Sequence, residues 1–188
     1  MKRHAQQRPA VSIKEFFSTE KQINQLEWKE IYTVTDLHSE YVPQGIAVHE
    51  DTVYHTVHKH DKKSVLIIFS KKDPTLRVIK EIDLPLEATH TSDLTLYKEH
   101  FYAIDYHSNQ IYQYDFEELR TKLVLKLVKK VRVTKPGHRF GSMEIIDAQG
   151  KEYLVVTSFL NDNRMYVFDF DKFFNQTLGF EKSLEFST

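Results

Sequence analysis

Histidines at positions 55, 58 and 60 are the first residues whose types and spacing suggest chemistry. They lie in the segment HTVHKH. In an extended strand His58 and His60 project from one face, because successive side chains alternate between faces. Two imidazoles at that spacing can form half of a zinc or copper site. The alternative is a solvated strand end beside a polar turn, since the sequence identifies no third ligand.

Polar residues just before three similar apolar runs form a second candidate site. Asp93 and Glu144 each precede such a run, and their carboxylates would be hard oxygen ligands for calcium or magnesium. The alternative role is structural, since such carboxylates also accept hydrogen bonds from free backbone N–H groups. No Gly-x-Ser-x-Gly turn surrounds Ser92, so we assign no catalytic residue. The candidate ligand-binding residues are Gln44, His90, Ser92, Asp93, His138 and Glu144.

A basic stretch without acidic residues runs from position 120 to 139. Phosphate binding would require such charge. However, Lys130 and Arg132 alternate with valines, as in an outer strand with one solvent face, and edge lysines oppose unwanted sheet pairing. We therefore expect a solvated outer strand, with RNA binding as the alternative. The candidate nucleic-acid contacts are Lys126, Lys129, Lys130 and Arg132.

The composition is that of a folded, mostly β protein. The 188 residues include 13 Phe and 10 Tyr but only 5 Gly and no Cys, and the net charge is −1. Scarce Gly disfavours glycine-rich phosphate-binding turns, and the lack of Cys excludes disulfides, thiolate metal sites and a cysteine nucleophile. Net charge alone gives no case for nucleic-acid or membrane partners. No apolar run approaches the roughly 20 residues of a membrane span, and no signal core follows the basic start. A cytoplasmic location is expected unless an export signal was removed.

Strand-like runs that repeat along the chain indicate how these residues are positioned. Three segments end alike: SVLIIFS at 64–70, QIYQYDF at 110–116 and RMYVFDF at 164–170. With the runs around them they give four strands in about 50 residues, the size of a β-propeller blade. The sequence therefore predicts an all-β fold over 26–188, a β-propeller or partial propeller with about three four-stranded blades.

The predicted blades cover about 26–70, 75–116 and 123–170, with a trailing strand at about 180–187. Residues 1–25 are expected to form a tail and a short helix, because Ser12 and Glu15 have capping-box spacing. Propellers usually close with four to eight blades. Three units therefore suggest either part of a longer protein or two copies that complete a ring, and these are favoured over an open sheet stack, which would leave costly exposed edges.

One unit resembles the NHL type of propeller repeat. The segment FYAIDYHSNQIYQYDF carries the residues of that repeat's strand–turn–strand core: Tyr102, Ala103, Asp105, Asn109, Ile111, Tyr114 and Asp115. PQGIAVHEDTVY at 43–54 is similar to the Pro-Asn-Gly strand start of the six-bladed regucalcin and gluconolactonase-like propellers, with Gln44 in place of the Asn. That family holds a divalent cation with a Glu, an Asn and an Asp, so the resemblance implies a metal-dependent lactonase-like hydrolase as an alternative function.

We predict a non-catalytic recognition scaffold that binds a protein or a small-molecule ligand. Binding would take place at the blade-end loops around a central channel, where the innermost strands begin. No cofactor is required, and calcium or magnesium would be the candidate ions. The metal-dependent hydrolase is the alternative, and the RNA-binding propeller is a further one.

Overall fold

The computed structural model describes residues 41–59, 63–73, 77–133, 138–158 and 164–175, and the backbone of Leu184–Ser187. Within these ranges the chain is mostly β, as the sequence predicted. The predicted tail and helix at 1–25, the strand-like run at 26–34 and His60 lie outside the described residues.

The described strands form three four-stranded antiparallel sheets, each built from consecutive strands. Blade 1 contains β1 (Tyr41–His49), β2 (Thr52–Lys59), β3 (Lys63–Ser70) and β4 (Val78–Asp83). Blade 2 contains β5 (Thr91–Tyr97), β6 (His100–Asp105), β7 (Gln110–Asp115) and β8 (Leu127–Arg132). Blade 3 contains β9 (Phe140–Ala148), β10 (Lys151–Ser158), β11 (Arg164–Asp169) and β12 (Leu184–Ser187).

In the first hairpin of each blade, the first turn residue adopts the left-handed backbone conformation. Glu50, Lys98 and Gln149 have φ angles of 51°, 52° and 60°. In blade 3 the second turn residue, Gly150, also has a positive φ of 76°. Positive φ in a two-residue turn matches the twist of the flanking strands. The turns recur at the same point of each repeat, so the structural period follows the sequence period.

Two short helices follow the third strands of blades 2 and 3, and the sequence did not predict them. They are α1 (Phe116–Lys122) and α2 (Phe170–Phe174). Asp115 and Asp169 cap their starts, with Oδ1 accepting a hydrogen bond from the N–H of Glu118 at 3.1 Å and of Lys172 at 3.2 Å. Asp at this position typically stabilises a helix by about 1 kcal/mol relative to Ala. Among the described residues no helix has the length and apolarity needed to cross a membrane.

The blades pack face to face, and their innermost strands β1, β5 and β9 contact one another in turn. One apolar core lies between blades 1 and 2 and includes Tyr54, Leu66, Leu94 and Phe101. A second core lies between blades 2 and 3 and includes Tyr102, Ile111, Ile145 and Leu154. Sheets stacked through both faces with their first strands innermost are the arrangement of propeller blades. The all-β propeller-type fold is thus confirmed.

Blade 1 exposes apolar side chains along its first strand, β1. Leu94 and Ile145, which stand at corresponding positions of β5 and β9, are 3% and 5% exposed because the preceding blade covers them. Ile46, at that position in β1, is 58% exposed, and Val48 on the same face is also exposed. On β2 and β3 the same face is buried, with Val57, Val65, Ile67 and Phe69 at most 1% exposed, so its exposed part lies along β1.

Candidate functional site

The first two inner strands each contain a β-bulge near their start. The pairing of β1 with β2 shifts between Pro43 and Ile46, and that of β5 with β6 shifts between Thr91 and Asp93. Bulges leave residues unpaired and re-aim side chains, and they are frequent beside functional sites. Gln44 and Ser92 lie in these bulges, so simple strand alternation does not determine where their side chains point.

Close contact between β1 and β5 fixes the position of Gln44. A Cβ atom on Gly45 would lie only 2.6 Å from the Cα of Asp93 and 2.6 Å from the N of Leu94. The buried hydroxyl of Thr56 accepts a hydrogen bond from the N–H of Gly45 at 3.0 Å and lies 3.3 Å from its carbonyl oxygen. Only glycine therefore allows the two blades to approach this closely beside Gln44.

Asp93 forms hydrogen bonds that connect blades 2 and 3. Its Oδ2 accepts from the N–H of Met143 at 3.0 Å, and its Oδ1 accepts from the N–H of Leu94 at 2.8 Å. Burial raises the pKa of Asp93 above its usual range. The two N–H groups oppose this rise, and the charge of Glu144 adds to it.

Glu144 connects the same two blades in the opposite direction. Its Oε1 accepts from the Thr95 hydroxyl of blade 2 at 2.8 Å and from the N–H of Ile145 at 2.9 Å. Both predicted metal-binding carboxylates thus have structural partners. Within the described ranges, no group of three His, Cys, Asp or Glu side chains is placed to hold a metal ion. Calcium or magnesium at Asp93 and Glu144 stays a prediction.

A cavity of about 340 Å³ lies beside the bulges. The described residues that line it are Gln44, His90, Ser92, Tyr106 and Gly141. Three of these, Gln44, His90 and Ser92, are among the residues that the sequence predicted for ligand binding. This volume falls at the lower end of the range typical of small-molecule sites, about 300–1,000 Å³.

His90 stands within a cluster of rings at this cavity. Its imidazole stacks on His58 with a centroid separation of 4.5 Å and an interplanar angle of 19°. Tyr106 and His107 meet it at an angle, with centroids 5.4 and 5.1 Å away. Burial is the main cause that lowers the pKa of His90, and charge on His58 or His107 would lower it further, while the Asp105 carboxylate acts in the opposite direction. The neutral imidazole is therefore favoured at pH 7.

The buried carboxylate of Asp105 holds the backbone of His90, which lines the cavity, and that of Ser108. Its Oδ2 accepts from the N–H of His90 at 2.6 Å, and its Oδ1 accepts from the N–H of Ser108 at 2.7 Å. The N–H of Tyr106 in turn donates to the carbonyl of His90 at 2.8 Å. These bonds fix His90 and Tyr106 relative to one another.

The structure brings together residues that the sequence did not connect. His107 and Gly141 were not predicted, Tyr106 was not assigned to this site, and the stacking of His58 on His90 was not foreseen. One signal was available for Tyr106: β5 pairs with β6 through Thr91 and Asp105. Once that hairpin is recognised, residues just before β5 and just after β6 must lie side by side.

The remaining predicted histidines lie elsewhere or outside the described residues. The His138 ring packs near Phe140 and Tyr166, with centroids 6.4 and 6.2 Å away. Its carbonyl oxygen accepts from the side-chain amide of Asn109 at 2.9 Å. His60 is not described, so the proposed His58–His60 zinc or copper half-site stays a prediction.

The basic residues predicted to contact nucleic acid lie on or next to β8, the outer strand of blade 2. Lys126 lies 3.4 Å from Asp115, and Lys130 lies 3.1 Å from Glu87. The Lys129 ammonium donates to a backbone carbonyl, that of Phe174. Arg132 is exposed. Three of the four cations thus have partners within the chain, and RNA binding stays a prediction.

A second cavity, of about 530 Å³, lies at the opposite end of the inner strands. Its described lining includes the turn residues Glu50 and Lys98 and the helix residues Glu117 and Arg120. Arg120 forms an ion pair with Glu117 at 2.7 Å, so part of the charge in this cavity is already paired.

Comparisons with known proteins add little beyond the fold. No family model and no curated protein matches the sequence. A solved structure described as KlHsv2 with loop 6CD replaced by a Gly-Ser linker is 8% identical, with a TM-score of 0.43 over 78% of this chain and 40% of that one. The glutaminyl cyclase of Myxococcus xanthus is 13% identical, with a TM-score of 0.47 over 71% and 50% of the two chains.

The third solved structure is the catalytically inactive H270A virginiamycin B lyase of Staphylococcus aureus with quinupristin. It is 14% identical, with a TM-score of 0.47 over 73% of this chain and 44% of that one. The chain thus spans half or less of the length of all three structures. Likeness at this level says nothing about activity, and the NHL-type and regucalcin-like resemblance stays a prediction.

Proposed function

We propose that this chain is a non-catalytic recognition scaffold that binds a small molecule in the cavity beside the bulges of β1 and β5. The proposal rests on polar side-chain groups that line the cavity and have no hydrogen-bond partner among the described residues. The Gln44 amide and the ring nitrogens of His90 form no hydrogen bonds with other described residues, although both side chains line the cavity. Concave sites with a few convergent polar groups are where small ligands bind.

The surrounding structure supports binding because it holds these groups in place before a ligand arrives. Gly45 and Thr56 fix the backbone beside Gln44, and Asp105 fixes that of His90. A preorganised site loses less conformational entropy on binding, so more of the interaction energy appears as affinity.

A thermal-shift screen of small-molecule fragments tests this proposal. A ligand present at 100 times its Kd stabilises the folded state by about 2.7 kcal/mol. At about 2–4 °C per kcal/mol for a chain of this size, Tm should rise by about 5–11 °C. The rise should be lost in Gln44→Ala and His90→Ala. It should persist in Gln113→Ala, which removes a glutamine from β7 outside the cavity lining.

Two results would refute the proposal. One is a broad screen in which no fragment raises Tm. The other is a set of fragments that stabilise the wild type and Gln44→Ala to the same extent, because binding would then occur elsewhere.

A further inference from the structure

The described lining of the cavity contains no side chain that is charged at neutral pH. Gln44, Ser92 and Tyr106 are polar and uncharged, Gly141 contributes only backbone, and an imidazole such as that of His90 is mostly neutral above its ordinary pKa of about 6.5. A charged ligand would lose its hydration here without meeting an opposite charge in this lining, which is costly.

Two carboxylates adjacent in sequence to lining residues, those of Asp105 beside Tyr106 and Asp93 beside Ser92, are already bonded to backbone N–H groups. Asp105 accepts from two, and Asp93 accepts from two others. Their oxygens are therefore partly satisfied and poorly placed to bind a ligand cation. This arrangement disfavours a positively charged ligand as well as a negatively charged one.

The stacked rings determine which ligand shape fits the cavity. The Gln44 amide determines which hydrogen-bonding groups the ligand should carry. His58 supports one face of the His90 imidazole, and Tyr106 meets that ring at 49°. Such a rigid aromatic wall favours planar groups, which stack or meet it edge-on. The Gln44 amide offers an N–H donor and a carbonyl acceptor side by side, so its complement is a group with an adjacent acceptor and donor.

We infer that the cavity binds an uncharged planar molecule with an adjacent donor and acceptor, such as an aromatic amide, a lactam or a nucleobase-like heterocycle. This inference rests on the proposed function, because it specifies the ligand of the same cavity. Ser92 supplies a further acceptor, since its hydroxyl hydrogen is directed to the Ile104 carbonyl at 3.4 Å.

Calorimetric titration with three matched probes tests the ligand class. Benzamide is planar and carries an adjacent donor and acceptor. Benzoate has the same shape but is charged, and cyclohexanecarboxamide has the amide group without a flat ring. We expect benzamide to bind at least tenfold more tightly than either of the others at pH 7.5. Benzoate binding equal to or tighter than benzamide would overturn the claim of an uncharged ligand, and equal binding of cyclohexanecarboxamide would overturn the claim of planarity.

Variants of Gln44 and His90 test whether these two residues cause the preference for benzamide. Gln44→Glu keeps the size of the side chain but replaces the N–H donor, so benzamide affinity should fall about tenfold, while Gln113→Glu should bind as the wild type does. His90→Phe keeps a flat ring and should retain more affinity than His90→Ala. Equal losses in the two His90 variants would refute a stacking role.

Failure of this inference can be distinguished from failure of the proposed function. If cavity-dependent fragments are found but are charged or non-planar, the ligand class is wrong and the recognition function stands. If neither the probes nor any fragment binds in a way that depends on Gln44, both are wrong.

Discussion

Replacement of Gly45 by Ala should push blades 1 and 2 apart. The added Cβ would lie 2.6 Å from both the Cα of Asp93 and the N of Leu94, and 2.8 Å from the carbonyl carbon of Asp93. All three are backbone atoms of β5, which cannot rotate away as a side chain can. Because ordinary carbon contacts lie at about 3.5–4.0 Å, relief requires a shift of roughly 1 Å between the inner strands.

Overpacking of this kind typically costs about 1–3 kcal/mol. For a chain of this size, that loss corresponds to a fall in Tm of about 2–12 °C. The same displacement would move Gln44 relative to His90, so affinity for any cavity ligand should fall too. Scanning calorimetry measures the first effect, and titration of a bound fragment measures the second.

Gly150→Ala is the matched control. A Cβ there meets no atom within 4 Å, but its φ of +76° strains an L-residue. We expect this variant to lose stability without losing ligand affinity, because its turn lies at the other end of the inner strand. Gly45→Ala protein with wild-type Tm and affinity would refute the argument that glycine sets the blade spacing.

Two other predictions follow from blade packing. Because the pKa of Asp93 is raised in the fold, the folded state favours the protonated acid, and its ionisation reduces stability as the pH rises through that pKa. The Tm advantage of wild type over Asp93→Asn should therefore shrink as the pH rises above about 4, the ordinary pKa of Asp, and a widening gap would contradict this reasoning. Along β1, where Ile46 and Val48 are exposed, we propose that Ile46 contacts a second copy of the chain, so light scattering should give a dimer mass for wild type and a monomer mass for Ile46→Asp. Wild-type protein of monomeric mass at micromolar concentration would rule out that contact.

The fold could be predicted from the sequence because its signal is periodic. Four strands recur about every 50 residues, and each blade keeps the same left-handed turn in its first hairpin. The two short helices were missed because the Asp-Phe pairs at 115–116 and 169–170 were interpreted as strand ends, whereas Asp is the cap and Phe begins the helix. In blade 1, Ser70 stands at the corresponding position and its hydroxyl accepts from the N–H of Lys72 in a turn.

The site could be predicted only in part, because the contacts that build it connect residues far apart in the chain. His58 and His90 stack although they belong to different blades. No spacing rule within one strand reveals such a pair, since it depends on how two sheets dock. Gln44 and Ser92 were accessible to sequence reasoning because both stand at the start of an inner strand, a position defined by the repeat itself.

One position of the repeat explains why carboxylates resembled metal ligands in the sequence. Gly45, Asp93 and Glu144 each precede the corresponding apolar residue of β1, β5 and β9. In blade 1 the glycine lets the backbones touch, whereas in blades 2 and 3 the carboxylates bridge the gap by binding Met143 and Thr95. The residue at this repeat position therefore helps to determine how closely neighbouring blades pack. The residues one step earlier in blades 1 and 2, Gln44 and Ser92, face the cavity instead. Substitutions of Asp93 and Glu144 should mainly change stability, and those of Gln44 should mainly change binding.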